Sequence, residues 1–380
     1  MRSAIGRLLR GAGTLLLFLT VGLCWAPTLV PPFLDSIYYQ GPPSDHFDGS
    51  RFFNPVDRAA PPGPRPAPTR FMSRMISGEG RAEWPEHVPV TPTIPPARVE
   101  GQRLLVTWIG HASTLVQTQG LNILTDPTWS DRASPFSFAG PQRVRAPGVR
   151  FEDLPKIDLV LVSHNHYDHM DLSTLRRLWD RDRPLIVTSL GNDTILRDAG
   201  VESVALDWNR SLPFKSGAIS VDRNHHWSSR WGTDRNRALW SAFTVKLPGG
   251  NIFFAGDTGW SDGSWVREAA AQGPVRLAII PIGAYEPRDF MRNHHVDPDE
   301  AVRIFEALNP VRALGVHWGT FQLTFEPIDD PRWRLAALLR QRSIAPDWFL
   351  ATEAGQSFSV PVPDSAASPR RPIEALPARP

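Results

Sequence analysis

The sequence predicts an α/β protein in which helices and sheets pack in layers. Apolar, strand-like segments alternate with helical segments from about residue 101 to residue 360. Hydrophobic residues make up 41% of the 380 residues and charged residues 21%, which is enough to bury a core and excludes a chain that is disordered throughout. Loops rich in histidine and aspartate follow several strands, so we expect polar chemistry at the strand ends.

The first half of this body begins as a meander of short strands separated by turn residues. A fully apolar strand then precedes a polar loop and a helix, and a second strand and helix follow. In order, the predicted elements are strands Leu104–Trp108, Thr114–Gln117, Leu121–Leu124 and Ile157–Val162, helix Leu172–Trp179, strand Leu185–Thr188, and a helix near Thr194–Ala199.

The second half repeats this alternation and contains the clearest helix start. Asp297 is a good N-cap, Pro298 suits the first helical position, and Glu300 completes a capping box. Apolar residues then follow at helical spacing. The predicted strands are Ala218–Val221, Ala242–Leu247, Ile252–Ala255, Leu277–Ile282 and Ala313–Val316.

The N-terminal segment, residues 1–30, has the pattern of a membrane anchor. Three arginines within the first ten residues precede an uncharged run from Gly11 to Val30, about the length of a spanning helix. An uncleaved anchor is our first interpretation, a cleaved signal peptide the second, and a buried or interfacial helix the third. The next basic residue is Arg51, so the positive-inside rule predicts a body outside the cytoplasm.

Proline-rich sequence surrounds the body at both ends. Residues 31–100 form a lead-in whose proline content, highest at residues 59–68, predicts an extended spacer without helix or inner strand. Residues 361–380 contain six prolines and predict a loose tail. The folded body that carries the function is therefore expected within residues 101–360.

Charge and cysteine content exclude several classes of protein. The 41 basic and 39 acidic side chains leave a net charge of +2, too balanced for nucleic-acid binding by bulk charge. Cys24 is the single cysteine, which excludes a disulfide scaffold, a cysteine zinc site and a CxxC redox pair.

The loop after the apolar strand Ile157–Val162 carries the strongest functional signal. It contains four side chains suited to metals within six residues: His164, His166, Asp168 and His169. His164 and His166 are two apart in extended chain, so they project to one side and can share a metal. Asp168 and His169 lie past the bend and can reach a second metal. Imidazole and carboxylate ligands suit Zn²⁺, iron or Mn²⁺.

Later strands end in further candidate ligands. A His225–His226 pair follows one strand, Asp257 follows another within a glycine-flanked turn, and His317 follows a third. Each would be weak evidence alone, because a lone histidine or aspartate at a strand end is often a cap or a core group. Together with the histidine-rich loop they indicate a dinuclear site.

This order of motifs resembles the metallo-β-lactamase superfamily, and within it the phospholipase D family that hydrolyses N-acylphosphatidylethanolamine. The resemblance covers about residues 101–360 and implies a four-layer αβ/βα sandwich. The stretches that carry it are Thr107–Thr114, Thr125–Gly140, Ser163–Asp171, Phe253–Gly259, Pro281–Phe290, His295–Val302 and Val316–Phe321.

The resemblance also implies roles for individual residues. One metal would be held by His164, His166 and the histidine of a His-Trp pair, and the other by Asp168, His169 and His317. Asp257 would bridge the two, so Asp168 and Asp257 are the expected catalytic carboxylates. Matching His-Trp selects His226 over His225, and matching His-Val-Asp-Pro selects His295 over His294. Tyr167 and His295 would line the lipid head-group site, and His111 is either a residue that orients a ligand or a satisfied core histidine.

The expected activity is hydrolysis of a phosphodiester by water activated between two Zn²⁺ ions, with iron or manganese as alternatives. The expected substrate is N-acylphosphatidylethanolamine, cleaved to N-acylethanolamine and phosphatidic acid. Three other functions remain open at this point: hydrolysis of another ester such as a sugar-phosphate lactone, a two-iron redox reaction, and a scaffold without catalysis.

The expected partners are a phospholipid substrate and a membrane surface, with no nucleic acid; a homodimer is compatible with the sequence. We expect the protein at a bacterial inner membrane, with a cytoplasmic location as the alternative.

Overall fold

Two seven-stranded mixed sheets form the centre of the molecule. A computed structural model of the chain describes residues 20, 35–59, 73–75 and 77–363. The strands are β1 (Leu104–Gly110), β2 (Ser113–Thr118), β3 (Leu121–Thr125), β4 (Leu159–Val162), β5 (Leu185–Ser189), β6 (Val204–Leu206), β7 (Arg210–Phe214), β8 (Gly217–Asp222), β9 (Ala242–Lys246), β10 (Asn251–Phe254), β11 (Val275–Pro281), β12 (Arg312–Val316), β13 (Phe349–Leu350) and β14 (Ser357–Ser359).

The two sheets have matching topologies. The first has the order β14-β1-β2-β3-β4-β5-β6 and the second β13-β12-β11-β10-β9-β8-β7. In each, an antiparallel meander leads into parallel strands, β3 to β6 in the first sheet and β10 to β13 in the second. The inner parallel strands β4 and β11 are buried at every position, which explains why their sequences are apolar except at Arg276 of β11.

Alternate residues of β4 enter two different cores. Leu159 and Leu161 belong to a cluster shared with the strands of the second sheet, whereas Val160 and Val162 belong to a cluster on the other face. This period of two places one apolar layer between the sheets and another between the first sheet and its helices.

Helices cover the outer faces of both sheets and complete the four layers that the family resemblance implies. On the first sheet, α2 and α3 bury leucine and isoleucine side chains in the outer cluster. On the second, α4, α6 and α7 contribute apolar side chains to the large cluster. The helices are α1 (Pro55–Ala59), α2 (Leu172–Asp182), α3 (Asn192–Asp198), α4 (Ser264–Ala270), α5 (Arg288–Met291), α6 (Pro298–Leu308) and α7 (Asp330–Gln341).

The prediction that the lead-in forms no helix is wrong: it contains α1, and residues 73–75 and 77 are also helical. Pro55 begins the short helix α1, a position where proline loses no helical hydrogen bond. Around it the lead-in packs onto the body: Phe47 and Phe52 are buried in the large core. Its backbone also joins the body, because Phe52 N donates to Asn236 O at 2.8 Å.

Several predicted features lie outside the residues that the structure describes. These are the anchor or signal segment at residues 1–30 apart from Thr20, the densest proline sequence from residue 60 on, and the tail beyond residue 363. Within the described part of the chain, no helix combines the length and the apolar character needed to cross a membrane.

Candidate metal centre

The predicted ligand-bearing loops meet at one edge of the two sheets. The histidine-rich loop follows β4, Asp257 follows β10, and His317 follows β12, each at the carboxyl end of a parallel strand. His226 follows β8, which runs in the same direction as β10 because each is antiparallel to β9. Ligand sites in α/β sheets form at such edges.

Three histidines, from the loops after β4 and β8, form one cluster at this edge. A nitrogen of each of His164, His166 and His226 lies within 4.8 Å of the others. His164 Nε2 is 2.8 Å from His166 Nδ1, and among the residues that the structure describes Nε2 of both His166 and His226 has no hydrogen-bond partner. Burial lowers the pKa of His166 to about 4 and that of His164 and His226 well below the ordinary value, so the rings are neutral and have free lone pairs.

A second cluster contains Asp168, His169 and His317. Asp168 Oδ2 lies 3.2 Å from His169 Nε2 and 3.3 Å from His317 Nε2, and these two nitrogens are 3.1 Å apart. Burial opposes protonation of His317, but Asp257 and Asp168 outweigh it and raise its pKa to about 9. Two buried imidazoles beside two carboxylates form a compact binding place for a cation.

Asp257 lies between the two clusters. Its Oδ2 is 3.0 Å from His169 Nε2 and 3.1 Å from His317 Nε2 in one cluster. In the other it is 4.0 Å from His164 Nε2 and 3.9 Å from His226 Nε2. Burial raises the pKa of Asp257, but the neighbouring imidazoles outweigh this and hold it well below the ordinary value. A carboxylate in this position can serve two ions at once.

A tight turn at Gly256 positions Asp257 at the end of β10. The preceding residue, Gly256, has φ +59°, and a Cβ there would lie 2.8 Å from Ser241 O and 2.9 Å from Ser163 Cβ. Only glycine fits both the left-handed conformation and the close approach to the neighbouring strand end. This confirms the role that the sequence predicts for a glycine next to the acid.

Other polar groups fix the orientation of the imidazoles. Asp126 Oδ2 is 2.6 Å from His169 Nδ1, and His294 O is 2.9 Å from His226 Nδ1, so in both rings Nε2 is directed into the site. His111 Nε2 is 2.9 Å from Asp168 Oδ2, the contact by which it would orient this carboxylate.

Asp126 was not among the predicted site residues, although it follows β3 at the same sheet edge. It is fully buried and also accepts hydrogen bonds from Ser163 N and Ser163 Oγ, at 2.7 and 2.6 Å. Its φ is +33°, and His111 and His317 also have positive φ, of +52° and +64°. Strained non-glycine backbone of this kind concentrates at functional sites.

The structure separates the two members of each adjacent histidine pair. His225 points away from the clusters: its Nε2 is 2.9 Å from Asp57 Oδ1 of α1, and its Nδ1 is 3.0 Å from Asn293 O. His295 Nδ1 lies 3.9 Å from Asp257 Oδ2, whereas His294 contributes its carbonyl oxygen. Both placements agree with the alignment of motifs that selects His226 and His295.

Tyr167 is turned away from the proposed ligands. Its ring lies under Arg230, with the guanidinium carbon 3.9 Å from the ring centroid. It lines a cleft of about 570 Å³ that none of the proposed metal ligands lines. Its hydroxyl is buried and has no hydrogen-bond partner among the described residues.

The donor set fits two divalent cations. Buried nitrogens of His166 and His226 and the Oδ1 oxygen of Asp257 have no partner in the described part of the chain, and unpaired buried polar atoms are costly unless a ligand satisfies them. Imidazole and carboxylate donors suit zinc, iron and manganese equally well in kind. The geometry therefore supports metal binding without fixing the metal.

Comparison with known proteins places the chain in a family. The family model described as a beta-lactamase superfamily domain matches residues 121–318. The chain is 36% identical over 266 residues to N-acyl-phosphatidylethanolamine-hydrolyzing phospholipase D 1 of Caenorhabditis elegans, covering 67% of this chain and 75% of that protein. It is 36% identical over 240 residues to the mitochondrial enzyme of the same name from Saccharomyces cerevisiae, covering 61% and 51%. A solved isothiocyanate hydrolase from Delia radicum gut bacteria matches with a TM-score of 0.54 at 21% identity, over 67% of this chain and 99% of that one, and shares the fold.

Proposed function

This chain belongs to the metallo-β-lactamase superfamily, and from that premise we propose that it is a phospholipase D-type phosphodiesterase that cleaves N-acylphosphatidylethanolamine. The products are N-acylethanolamine and phosphatidic acid. The observation that carries the proposal is the 36% identity to a worm enzyme of that name across 75% of its length. Metal-dependent hydrolysis itself follows from the family.

The proposed ligands divide between two positions. His164, His166 and His226 hold one ion, Asp168, His169 and His317 hold the other, and Asp257 contributes to both. When bound, two divalent ions would activate a water molecule and stabilise negative charge on phosphate oxygens. The structure supports this division because Asp257 Oδ2 lies between 3.0 and 4.0 Å from nitrogens of both groups.

The protein's own residues supply orientation and exclude solvent. Asp126 fixes the ring of His169, and the His294 carbonyl fixes that of His226, so neither imidazole has to reorganise during the reaction. His295 lies beside Asp257 and is positioned to donate a hydrogen bond to a phosphate oxygen. Tyr167 would contact the part of the lipid that lies beyond the metals, in the adjoining cleft.

The proposal is tested by offering the zinc-loaded protein a mixed lipid extract and following every lipid class by mass spectrometry. We expect N-acylphosphatidylethanolamine to disappear while phosphatidic acid and N-acylethanolamine appear in equal amounts. Diacylglycerol as the product would indicate cleavage of the other phosphoester bond. Loss of a different ester with N-acylphosphatidylethanolamine untouched would refute the proposed substrate while leaving a hydrolase.

The matched control for this experiment is the Asp257→Asn variant. It changes one oxygen to nitrogen without altering the size of the side chain, so lipid turnover that persists in it would come from a contaminant or from chemistry outside the proposed centre.

A further inference from the structure

The cleft beside Tyr167 is surrounded by exposed apolar side chains. Among the described residues seven large hydrophobic side chains are exposed, and four of them lie in segments that line this cleft. They are Ile37, Phe136, Phe138 and Trp231, with 56%, 50%, 80% and 43% of their surface exposed. We call these four residues the apolar rim.

Members of the apolar rim come from three separate parts of the chain. Ile37 lies between Ser36 and Tyr38, which both line the cleft, and Trp231 lines it directly. Phe136 and Phe138 follow Pro135, another lining residue, and their ring centroids are 5.5 Å apart. Three separate segments therefore each bring an exposed apolar side chain to, or next to, the lining of one cleft.

Hydrogen bonds hold the rim in shape. Asp234 accepts from Arg230 N and Trp231 N at 3.0 and 2.9 Å, and Tyr38 Oη donates to the same carboxylate at 2.9 Å. This ties the segment of Ile37 to the loop of Trp231.

An arginine holds the remaining part of the rim. Arg132 donates to Ser137 O at 3.1 Å and to Gly140 O at 2.7 Å, so its guanidinium cross-links the backbone of the loop that carries Phe136 and Phe138. Phe136 and Phe138 are therefore held outward on a loop with internal support.

The described segment 35–59 begins beside this cleft. Asp35, two residues before Ile37, is paired with Arg51 and Arg237 at 2.8 and 2.7 Å, which fixes where the N-terminal sequence departs. The uncharged run Gly11–Val30 ends five positions before Asp35. A segment of that composition favours a bilayer, and in sequence its last residue is only five positions from the side of the body that carries the apolar rim.

We propose that the apolar rim is the face that docks on a phospholipid bilayer, with Phe136 and Phe138 entering the interfacial layer. Aromatic side chains favour this layer, and their exposure to water is unfavourable. The proposal deepens the proposed function and rests on it only for the identity of the lipid. A lipid leaving the bilayer at this face enters the cleft of Tyr167, whose neighbours His166 and Asp168 are proposed ligands.

The test places a fluorescent label on the full-length chain and asks which side of the molecule meets lipid. In a Cys24→Ser background, an NBD label is attached at Phe138→Cys or at Trp333→Cys. Trp333 is the matched control because it is also an exposed aromatic residue, at 58%, and lies on α7, no residue of which lines the cleft. Each protein is reconstituted with phosphatidylcholine and phosphatidylglycerol vesicles that contain nitroxide-labelled lipid.

We expect strong quenching at position 138 and little at position 333. Equal quenching at both positions, or quenching at 333 alone, would overturn the proposal. Self-quenching at position 138 that grows with protein density, without quenching by lipid, would show that a second copy covers the rim and would also overturn it.

The same labelled proteins are assayed on detergent-dispersed N-acylphosphatidylethanolamine, so that the two proposals fail separately. Quenching at position 138 together with no hydrolysis by the protein labelled at position 333, whose rim is unaltered, would refute the proposed activity and leave the docking face intact. Hydrolysis without quenching at that position would do the reverse.

Discussion

Asp257 is the residue on which both proposed metal positions depend, so its removal should have the largest effect. Replacing it by asparagine removes the negative charge that balances two cations, while the side chain keeps its size. We expect hydrolysis to be abolished and the bound metal to fall below two equivalents, with the far-ultraviolet circular dichroism unchanged. Metal analysis and activity on the purified variant provide the measurement. Asp289→Asn, which changes an exposed carboxylate, is the control, and normal turnover in Asp257→Asn would refute the dinuclear assignment.

The adjacent histidines His225 and His226 give a second prediction at the scale of single residues. His226→Ala should remove about one metal equivalent, because its unpaired Nε2 lies in the cluster with His164 and His166. His225→Ala should keep both ions, because its ring is bonded to Asp57 and Asn293 instead. Metal counting on the two variants decides between them, and the reverse pattern would mean that the ligand assignment is shifted by one residue.

The candidate site was largely readable from the sequence because its side chains follow strands at one sheet edge. The spacing of His164, His166, Asp168 and His169 indicates metal chemistry by itself, and the structure brings these residues together with Asp257. Asp126 was missed because its role depends on a contact with His169 across 43 positions of the chain. Its place directly after β3 was the available signal.

At the scale of elements, α6 shows how a local sequence signal fixes the surroundings of the site. Asp297 Oδ1 accepts a hydrogen bond from Glu300 N at 2.9 Å, and Glu300 Oε2 accepts one from Asp297 N at 3.3 Å, which confirms the predicted capping box. Arg288 links this cap to the site, because it pairs with Glu300 and donates to His295 O at 2.7 Å.

Asp297→Ala should therefore lower the free energy of unfolding by about 0.5–2 kcal/mol. Asp297→Asn is the matched variant, since asparagine caps helices nearly as well and loses only the charge that faces Arg288. Urea denaturation of the two variants gives the measurement. Equal destabilisation by both substitutions would show that the charge rather than the cap is what matters.

Strands and helices with a hydrophobic pattern in their own sequence were predicted. Short strands that form only by pairing with another strand were not. The inner strands β4 and β11 are apolar at nearly every position and were found with boundaries shifted by one or two residues. The two-residue strand β13 and the three-residue strand β14 exist only through pairing with β12 and β1, so no local pattern reveals them. The helix α1 was excluded on proline content, although proline is favourable at a first helical position.

At the scale of the whole molecule, metal binding should stabilise the fold. Three of the proposed ligands, His166, His226 and Asp257, have buried polar atoms that find no partner among the described residues, and a bound cation would satisfy them. Removing metal with a chelator should abolish hydrolysis and lower the melting temperature. Zinc restored at about 100 times its dissociation constant should return about 2.7 kcal/mol of stability.

Calorimetry with and without zinc tests this, and Asp257→Asn should show a smaller shift than the parent. A melting temperature that is indifferent to zinc in the parent would contradict metal binding in the folded state.

The N-terminal segment should determine where the molecule resides without contributing to its chemistry. Asp35, Phe47, Phe52 and Asp57 connect the lead-in to the body, and all of them remain when residues 1–30 are deleted. We therefore expect the truncated protein to move from the membrane fraction to the soluble fraction, because the apolar rim alone gives only weak and reversible attachment. Hydrolysis of detergent-dispersed lipid should remain close to that of the full chain, because no proposed ligand precedes His164. Fractionation, metal content and activity are measured on the same preparation. A truncated protein that binds two metal ions and is still inactive would show that the segment takes part in forming the site, since folding and metal binding would then both be intact.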